Sequence, residues 1–266
     1  MLELESISKT FNPGTVNEKR AISGLTLHME QGEFATIVGS NGAGKSTLFG
    51  AIAGAFYVDE GRVILDGCDV TYMPEYRRSR WIGRLFQDPM LGTAPNMTIE
   101  ENLALAYLRT VKASHAFFSR PGKADRALFR DRLAMLGMGL EDRMGQKVGL
   151  LSGGQRQALT LLMATLTTPK LLLLDEHTAA LDPATAEKVL DLTRFIVEKD
   201  RITTLMITHN MTSALSVGSR TLMMDDGRIV LDVQGKERAG LTVNDLLERF
   251  QAGAGRRLED DRILLA

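Results

Sequence analysis

The run Gly39, Ser40, Asn41, Gly42, Ala43, Gly44, Lys45, Ser46 satisfies the pattern G-x-x-x-x-G-K-[ST] at every position and constrains the fold more than any other feature. Phe34–Val38, just before it, is short, largely apolar and rich in β-branched residues, which reads as a buried strand. From Lys45 to Ala53 the apolar spacing is helical, and Gly54 suits a C-cap. A strand feeding a glycine loop and then a helix gathers backbone N–H groups around one anion, with the helix dipole aimed at it. Within such a loop Lys45 reaches terminal phosphate oxygens, the Ser46 hydroxyl can hold magnesium, and Thr47 continues the binding turn.

A second buried strand, Leu171–Leu174, ends in Asp175 and Glu176. Open α/β sheets bind ligands at the carboxyl ends of their strands. Asp175 suits a magnesium shell, directly or through water. Glu176 suits the task of orienting or deprotonating an attacking water. Two acids ending an apolar strand could equally be solvated strand-end residues; the glycine loop upstream favours the catalytic reading.

Around these motifs the chain alternates strands and helices, which predicts a parallel sheet. Leu2 and Leu4, continuing to Ser6, mark one face of an N-terminal strand, with Glu3 and Glu5 on the other. Asp226-Gly227 between two apolar runs predicts a hairpin, and Val63–Asp66 with Gly67 predicts an arm of another. Between Thr98 and Gly149 the spacing is near 3.6, as in Ile99–Tyr107 and Ala127–Leu136, which predicts a helical subdomain. The balance of 32 basic against 33 acidic residues argues against broad attraction to nucleic acid or an anionic membrane. A single cysteine, Cys68, excludes an intrachain disulfide. No apolar run approaches the roughly 20 residues that cross a bilayer, and the first residues lack a signal-peptide pattern. The expected location is the cytoplasm, unless a partner draws the chain to a membrane.

Leu151, Ser152, Gly153, Gly154 and Gln155 resemble the signature motif of the ABC ATPase family, and the resemblance covers nearly the whole chain. It implies an α/β fold: a P-loop NTPase (RecA-like) core with an antiparallel β subdomain and an inserted helical subdomain. The expected boundaries are 1–87 and 156–250 for the core, 88–155 for the helical part and 251–266 for a tail. ATP and Mg2+ are the implied ligands. Gln87 resembles the Q-loop glutamine, a magnesium or water contact that senses the membrane partner. Asp182 resembles the D-loop aspartate at the dimer interface, and His209 the switch histidine that contacts the γ-phosphate. Phe11 resembles the aromatic that stacks on adenine, although the family more often has tyrosine there and Phe11 could be core. Ser152 and the glycines capture phosphate at a helix N-terminus, a role compatible with simple helix capping. The resemblance further implies a homodimer in which each signature closes over the other subunit's nucleotide. Integral membrane permease subunits, an extracytoplasmic solute-binding protein and a place on the cytoplasmic face of the membrane complete the expectation, with no nucleic-acid partner.

The family commonly places proline after the catalytic glutamate, where this chain has His177. DEHTAALDP, FNPGTVNEKRA and FQDPMLGTAPNMTIEENLALA resemble one branch of bacterial importer ATPases for small solutes, aromatic amino acids among them. An exporter ATPase and a soluble non-transport member of the family remain alternatives. A metabolic kinase would leave the signature, Asp182 and His209 without a role. Elsewhere Arg77, Arg78 and Arg80 read as a solvated face, Trp81 as an anchor, the methionines as adaptable core filling, and His115–Arg120 as an exposed loop.

Overall fold

The computed structural model describes Met1–Arg109 and Pro121–Ala254, with side chains through Phe250. Its strands are β1 (Leu2–Phe11), β2 (Lys19–Met29), β3 (Phe34–Gly39), β4 (Glu60–Leu65), β5 (Cys68–Asp69), β6 (Ile82–Leu85), β7 (Leu171–Asp175), β8 (Thr203–Ile207), β9 (Arg220–Asp225) and β10 (Arg228–Gln234). Its helices are α1 (Lys45–Ala53), α2 (Glu75–Arg78), α3 (Ile99–Leu108), α4 (Lys123–Ala134), α5 (Gly153–Thr165), α6 (Pro183–Asp200), α7 (Met211–Ser216), α8 (Gly235–Ala239) and α9 (Val243–Ala254). The expected loop at His115–Arg120 and the tail from residue 255 onward lie outside the described residues. No described helix is long and apolar enough to cross a membrane.

The chain divides into two units. The first holds Met1–Arg78, Leu173–Glu176 and the chain from Arg201 onward; the second holds Ser79–Leu172 and His177–Asp200. In the first unit an antiparallel sheet has the order β2-β1-β4-β5. Leu2 and Leu4 point inward, paired with Met29 and Leu27. The alternation then breaks. Ser6 has φ +47 and is exposed, and the register shifts between Leu4 and Ile7. The expected inward face therefore passes to Ile7, which is fully buried, because a β-bulge at Ser6 resets the pleat. Both hairpin turns have positive φ at their two central residues, Asp66-Gly67 and Asp226-Gly227, as a two-residue turn requires.

The other sheet of this unit is parallel at its centre. β3 lies between β8 and β9, and β10 runs antiparallel to β9. Leu173–Asp175 of β7 continues it beyond β8. Every residue of β3 is buried, so the strand leading to the glycine loop is locked into the core. On one side Leu246 and Phe250 of α9 cluster with Val38, Met211, Met223 and Val233.

In the second unit Thr98 and Glu101 form a capping box that starts α3. Ile99, Leu103, Phe129 and Leu133 from α3 and α4 bury against Ala158, Leu159 and Leu162 of α5. That shared core ties α5 to α3 and α4, and the unit also takes in Ser79–Gln87 and α6, beyond the 88–155 expected for the helical part. The carbonyl of Trp81 accepts from the backbone N–H groups of Lys170 (2.8 Å) and Leu171 (3.1 Å), and the Lys170 ammonium stands 5.6 Å over its ring.

The solvated face expected of Arg77, Arg78 and Arg80 holds for only two of the three. Arg77 and Arg80 are exposed, but Arg78 is 1% exposed. Its guanidinium donates to the carbonyls of Ala51, Ile52, Thr71 and Met73 at 2.8–2.9 Å, so it belongs to the interior. Sequence spacing alone does not separate this residue from its two solvated neighbours.

Candidate nucleotide site

The glycine loop is shaped by positions where no side chain fits. Gly39 has φ +154, and a Cβ there would lie 2.2 Å from the carbonyl oxygen of Met224. Gly44 has φ +98, and its Cβ would lie 2.4 Å from the carbonyl oxygen of Ala21. α1 begins straight after, with no side-chain cap and no acidic residue in its first turn. Its first amides are thus left to an external anion. Lys45 is 5% exposed, and its ammonium donates to the carbonyls of Gly39 (2.7 Å) and Ser40 (2.9 Å), which hold it beneath the loop.

Above the loop lies a cleft of about 200 Å³. Phe11, Asn41, Gly42, Gly44, Lys45, Ser46, Thr47, Glu176 and His209 line it, so nine of the residues singled out in the sequence surround one space. Gly39, Ser40 and Ala43 belong to the same loop without lining the cleft. Phe11 presents one ring edge to Phe56, with centroids 5.3 Å apart. Lys19 and Ala21 line the cleft too. Neither stands out in the sequence, since both sit in an ordinary alternating strand; the β1–β2 register, which sets Lys19 opposite Phe11, is what brings them in.

Glu176 and His209 reach the cleft from the ends of the neighbouring strands β7 and β8. Glu176 has φ +45, a left-handed conformation uncommon outside glycine, and its N–H donates to the Ile207 carbonyl at 3.0 Å. That turn aims its carboxylate at the imidazole of His209, whose Nε2 it meets directly. Asp175, one residue earlier, is half-buried at the strand end. Among the described residues no cluster of three His, Cys, Asp or Glu could hold a metal by itself. Magnesium on a nucleotide takes only one or two protein oxygens, the rest coming from phosphate and water. The Ser46 hydroxyl and the Asp175 carboxylate are oxygen donors of that kind.

The remaining predicted residues lie in the second unit. Ser152 Oγ accepts from Gln155 N–H (3.3 Å) and Gln155 Oε1 accepts from Ser152 N–H (3.2 Å), a capping box at the start of α5. The Ser152 hydroxyl proton is therefore free to donate outward. Gly153 and Gly154 open the helix, and a Cβ on Gly154 would lie 2.2 Å from Thr185 Cγ2. Asp182 Oδ1 accepts from Thr185 N–H at 3.1 Å, and the bonds from Thr185 hold its carboxyl below the usual range. Gln87 is exposed just after β6.

His177, also in this unit, is 3% exposed, and its Nε2 lies 3.1 Å from Thr193 Oγ1. Thr193 Oγ1 donates to the Val189 carbonyl, so it accepts from His177, which fixes the neutral Nε2–H tautomer. Burial pulls the imidazole pKa down to about 4. The residue that replaces the family's proline is a core histidine.

A glycine loop shaped to take an anion, with a carboxylate–imidazole pair across the cleft, defines a nucleotide-hydrolysing P-loop protein. Residues 22–179 match the family profile described as ABC transporter. A tyrosine transport ATP-binding protein of Clostridioides difficile is 44% identical over 252 residues, covering 94% of this chain and 99% of that protein. A phosphonates import ATP-binding protein of Lactococcus lactis is 32% identical, over 89% of this chain and 94% of its own length. Among solved structures, a dimeric ATP-binding cassette in a post-hydrolysis state bound to ADP and Pi superposes with TM-score 0.75 and 28% identity. That match covers 88% of this chain and 98% of that one. The chain belongs to the ABC transporter family and is an ATP-binding, ATP-hydrolysing cassette.

Proposed function

We propose that this chain is the motor subunit of a bacterial importer of an aromatic amino acid, with tyrosine the first candidate. The observation that carries the cargo is the end-to-end similarity to the tyrosine transport protein; the importer reading also draws on the phosphonates relative. The chemistry follows from the cleft. ATP seats its phosphates on the Gly39–Ser46 amides, with Lys45 reaching toward the β- and γ-phosphates and Phe11 against the base. Ser46 and Asp175 would hold Mg2+, which when bound supplies charge neutralisation at the phosphate oxygens. Glu176 orients the attacking water and accepts its proton, and His209 keeps that carboxylate aligned while sensing the γ-phosphate.

The working unit is a homodimer in which the Ser152 hydroxyl, the Gly153 and Gly154 N–H groups and the Gln155 side-chain NH2 of one copy donate to the γ-phosphate held by the other. Asp182 stands at that interface. Closure then depends on a γ-phosphate that hydrolysis removes, which is how a nucleotide drives a mechanical cycle. In the second unit, a groove of about 340 Å³ lined by Leu91, Thr93, Leu105 and Arg109 follows Gln87 in the chain and offers the face for a permease helix. Its exposed Leu91 (71%) and Leu105 (48%) suit an apolar partner surface. The chain would thus act at the cytoplasmic face of the membrane, bound to permease subunits that receive solute from an extracytoplasmic binding protein.

Two measurements test this. Glu176→Gln should keep ATP binding, lose turnover and accumulate dimer on a sizing column with ATP; a monomer there sinks the sandwich. Cells carrying Lys45→Ala should lose uptake of labelled tyrosine, and unchanged uptake of tyrosine, phenylalanine and tryptophan would remove the cargo assignment.

A further inference from the structure

Lys19 opens β2 directly across from Phe11 of β1, and both line the nucleotide cleft. Its ammonium comes within 3.4 Å of where a Cβ on Gly42 would stand, so it hangs over the glycine loop from the outer rim. Lys45 approaches the same loop from beneath. Among the described residues no acid forms an ion pair with Lys19. The carboxylate of Glu18, its neighbour in sequence, accepts from Gly14 N–H at 2.6 Å, and Glu176 across the cleft is engaged with His209. Among the described residues no hydrogen bond or ion pair engages the Lys19 side chain, whose backbone pairs with β1.

An uncompensated ammonium at the mouth of an anion cradle raises the local concentration and the affinity of a polyphosphate. We propose that Lys19 is a second cationic ligand of the nucleotide's phosphate chain, acting from the β2 rim while Lys45 acts from within the loop. The inference rests on reading this cleft as the nucleotide site. Its reach is electrostatic and partly exposed, so its contribution is modest and falls as salt rises.

The experiment is a titration of the full chain with Mg-ATP, Mg-ADP and adenosine at low and high salt. Lys19→Gln should weaken ATP and ADP about fivefold at low salt, leave adenosine unchanged, and approach wild type at high salt. Lys19→Arg should bind like wild type. Affinities of Lys19→Gln within twofold of wild type at low salt would overturn the proposal, as would an equal loss for adenosine. Lys45→Ala, titrated alongside, separates the two levels. If it binds ATP as wild type does, the reading of the cleft fails; if it weakens ATP while Lys19→Gln does not, only the role of Lys19 fails.

Discussion

The guanidinium of Arg78 donates through Nη1 to the carbonyl of Ala51 at 2.8 Å, closing the end of α1 opposite the phosphate loop. Ile52 is bonded by the same nitrogen, and Met73 and Thr71 by the other two. The last carbonyls of a helix lack partners and carry partial negative charge, so a buried cation placed there satisfies both needs at once. Gly54 makes room for it, since a Cβ at that position would lie 2.7 Å from Arg78 Nε. The device recurs. Arg109 donates to the Met163 carbonyl near the end of α5, and Arg238 to Ala214, Leu215 and Val217 at the end of α7. Three helices, which begin after the glycine loop, after Ser152 and just beyond His209, are each fastened at the far end by an arginine.

Arg78→Met should therefore cost far more than an average surface change. The truncation leaves four carbonyls without their donor, and the expected loss is about 3 kcal/mol of unfolding free energy or more. Arg78→Lys keeps the charge but not the fork, and should recover only part of the loss. Urea unfolding at neutral pH reads both. A loss under about 0.5 kcal/mol in Arg78→Met, the range of an ordinary surface position, would contradict the capping role.

Gly154 yields a paired prediction. A methyl group on it would meet Thr185 Cγ2 at 2.2 Å, so Gly154→Ala should force α5 and α6 apart locally, at about 1–3 kcal/mol. Thr185→Ser deletes the offending methyl yet keeps the N–H that bonds Asp182. The double variant should regain most of the stability lost by Gly154→Ala. Additive costs in a double-mutant cycle would mean that the two residues do not meet.

How much of this was legible in the chain depended on whether the signal was local. The Gly39–Ser46 loop and the Asp66-Gly67 and Asp226-Gly227 turns each depend on residues a few positions apart, and all read directly. Glu176 reads from its strand end and His209 from the family resemblance, but that the two side chains meet was not legible. What escaped needed distant partners. The Ser6 bulge is set by how β1 pairs with β2 and β4, with Gly61 tucked beneath it. The burial of Arg78 is set by the end of α1, more than twenty residues away. Lys19 entered the cleft only through strand register.

His177 makes stability depend on pH in a predictable direction. Its ordinary pKa of 6.5 falls to about 4 in the folded chain, because burial disfavours the charged ring. Above pH 6.5 the imidazole is neutral in both folded and unfolded states, and the fold keeps its full stability. Between pH 6.5 and 4 the unfolded chain takes up a proton that the folded chain refuses, so stability falls as pH falls. Below about 4 both states are protonated and the difference levels off. The linked loss approaches about 3 kcal/mol over the window, at roughly 1.4 kcal/mol per pH unit. His177→Gln, which can still donate to Thr193, removes this term but leaves every other titrating group in place. Urea unfolding in EDTA without nucleotide, run from pH 7.5 to 4 on both proteins, should show the wild type losing stability faster. Parallel curves would mean that His177 is solvated or charged in the native state.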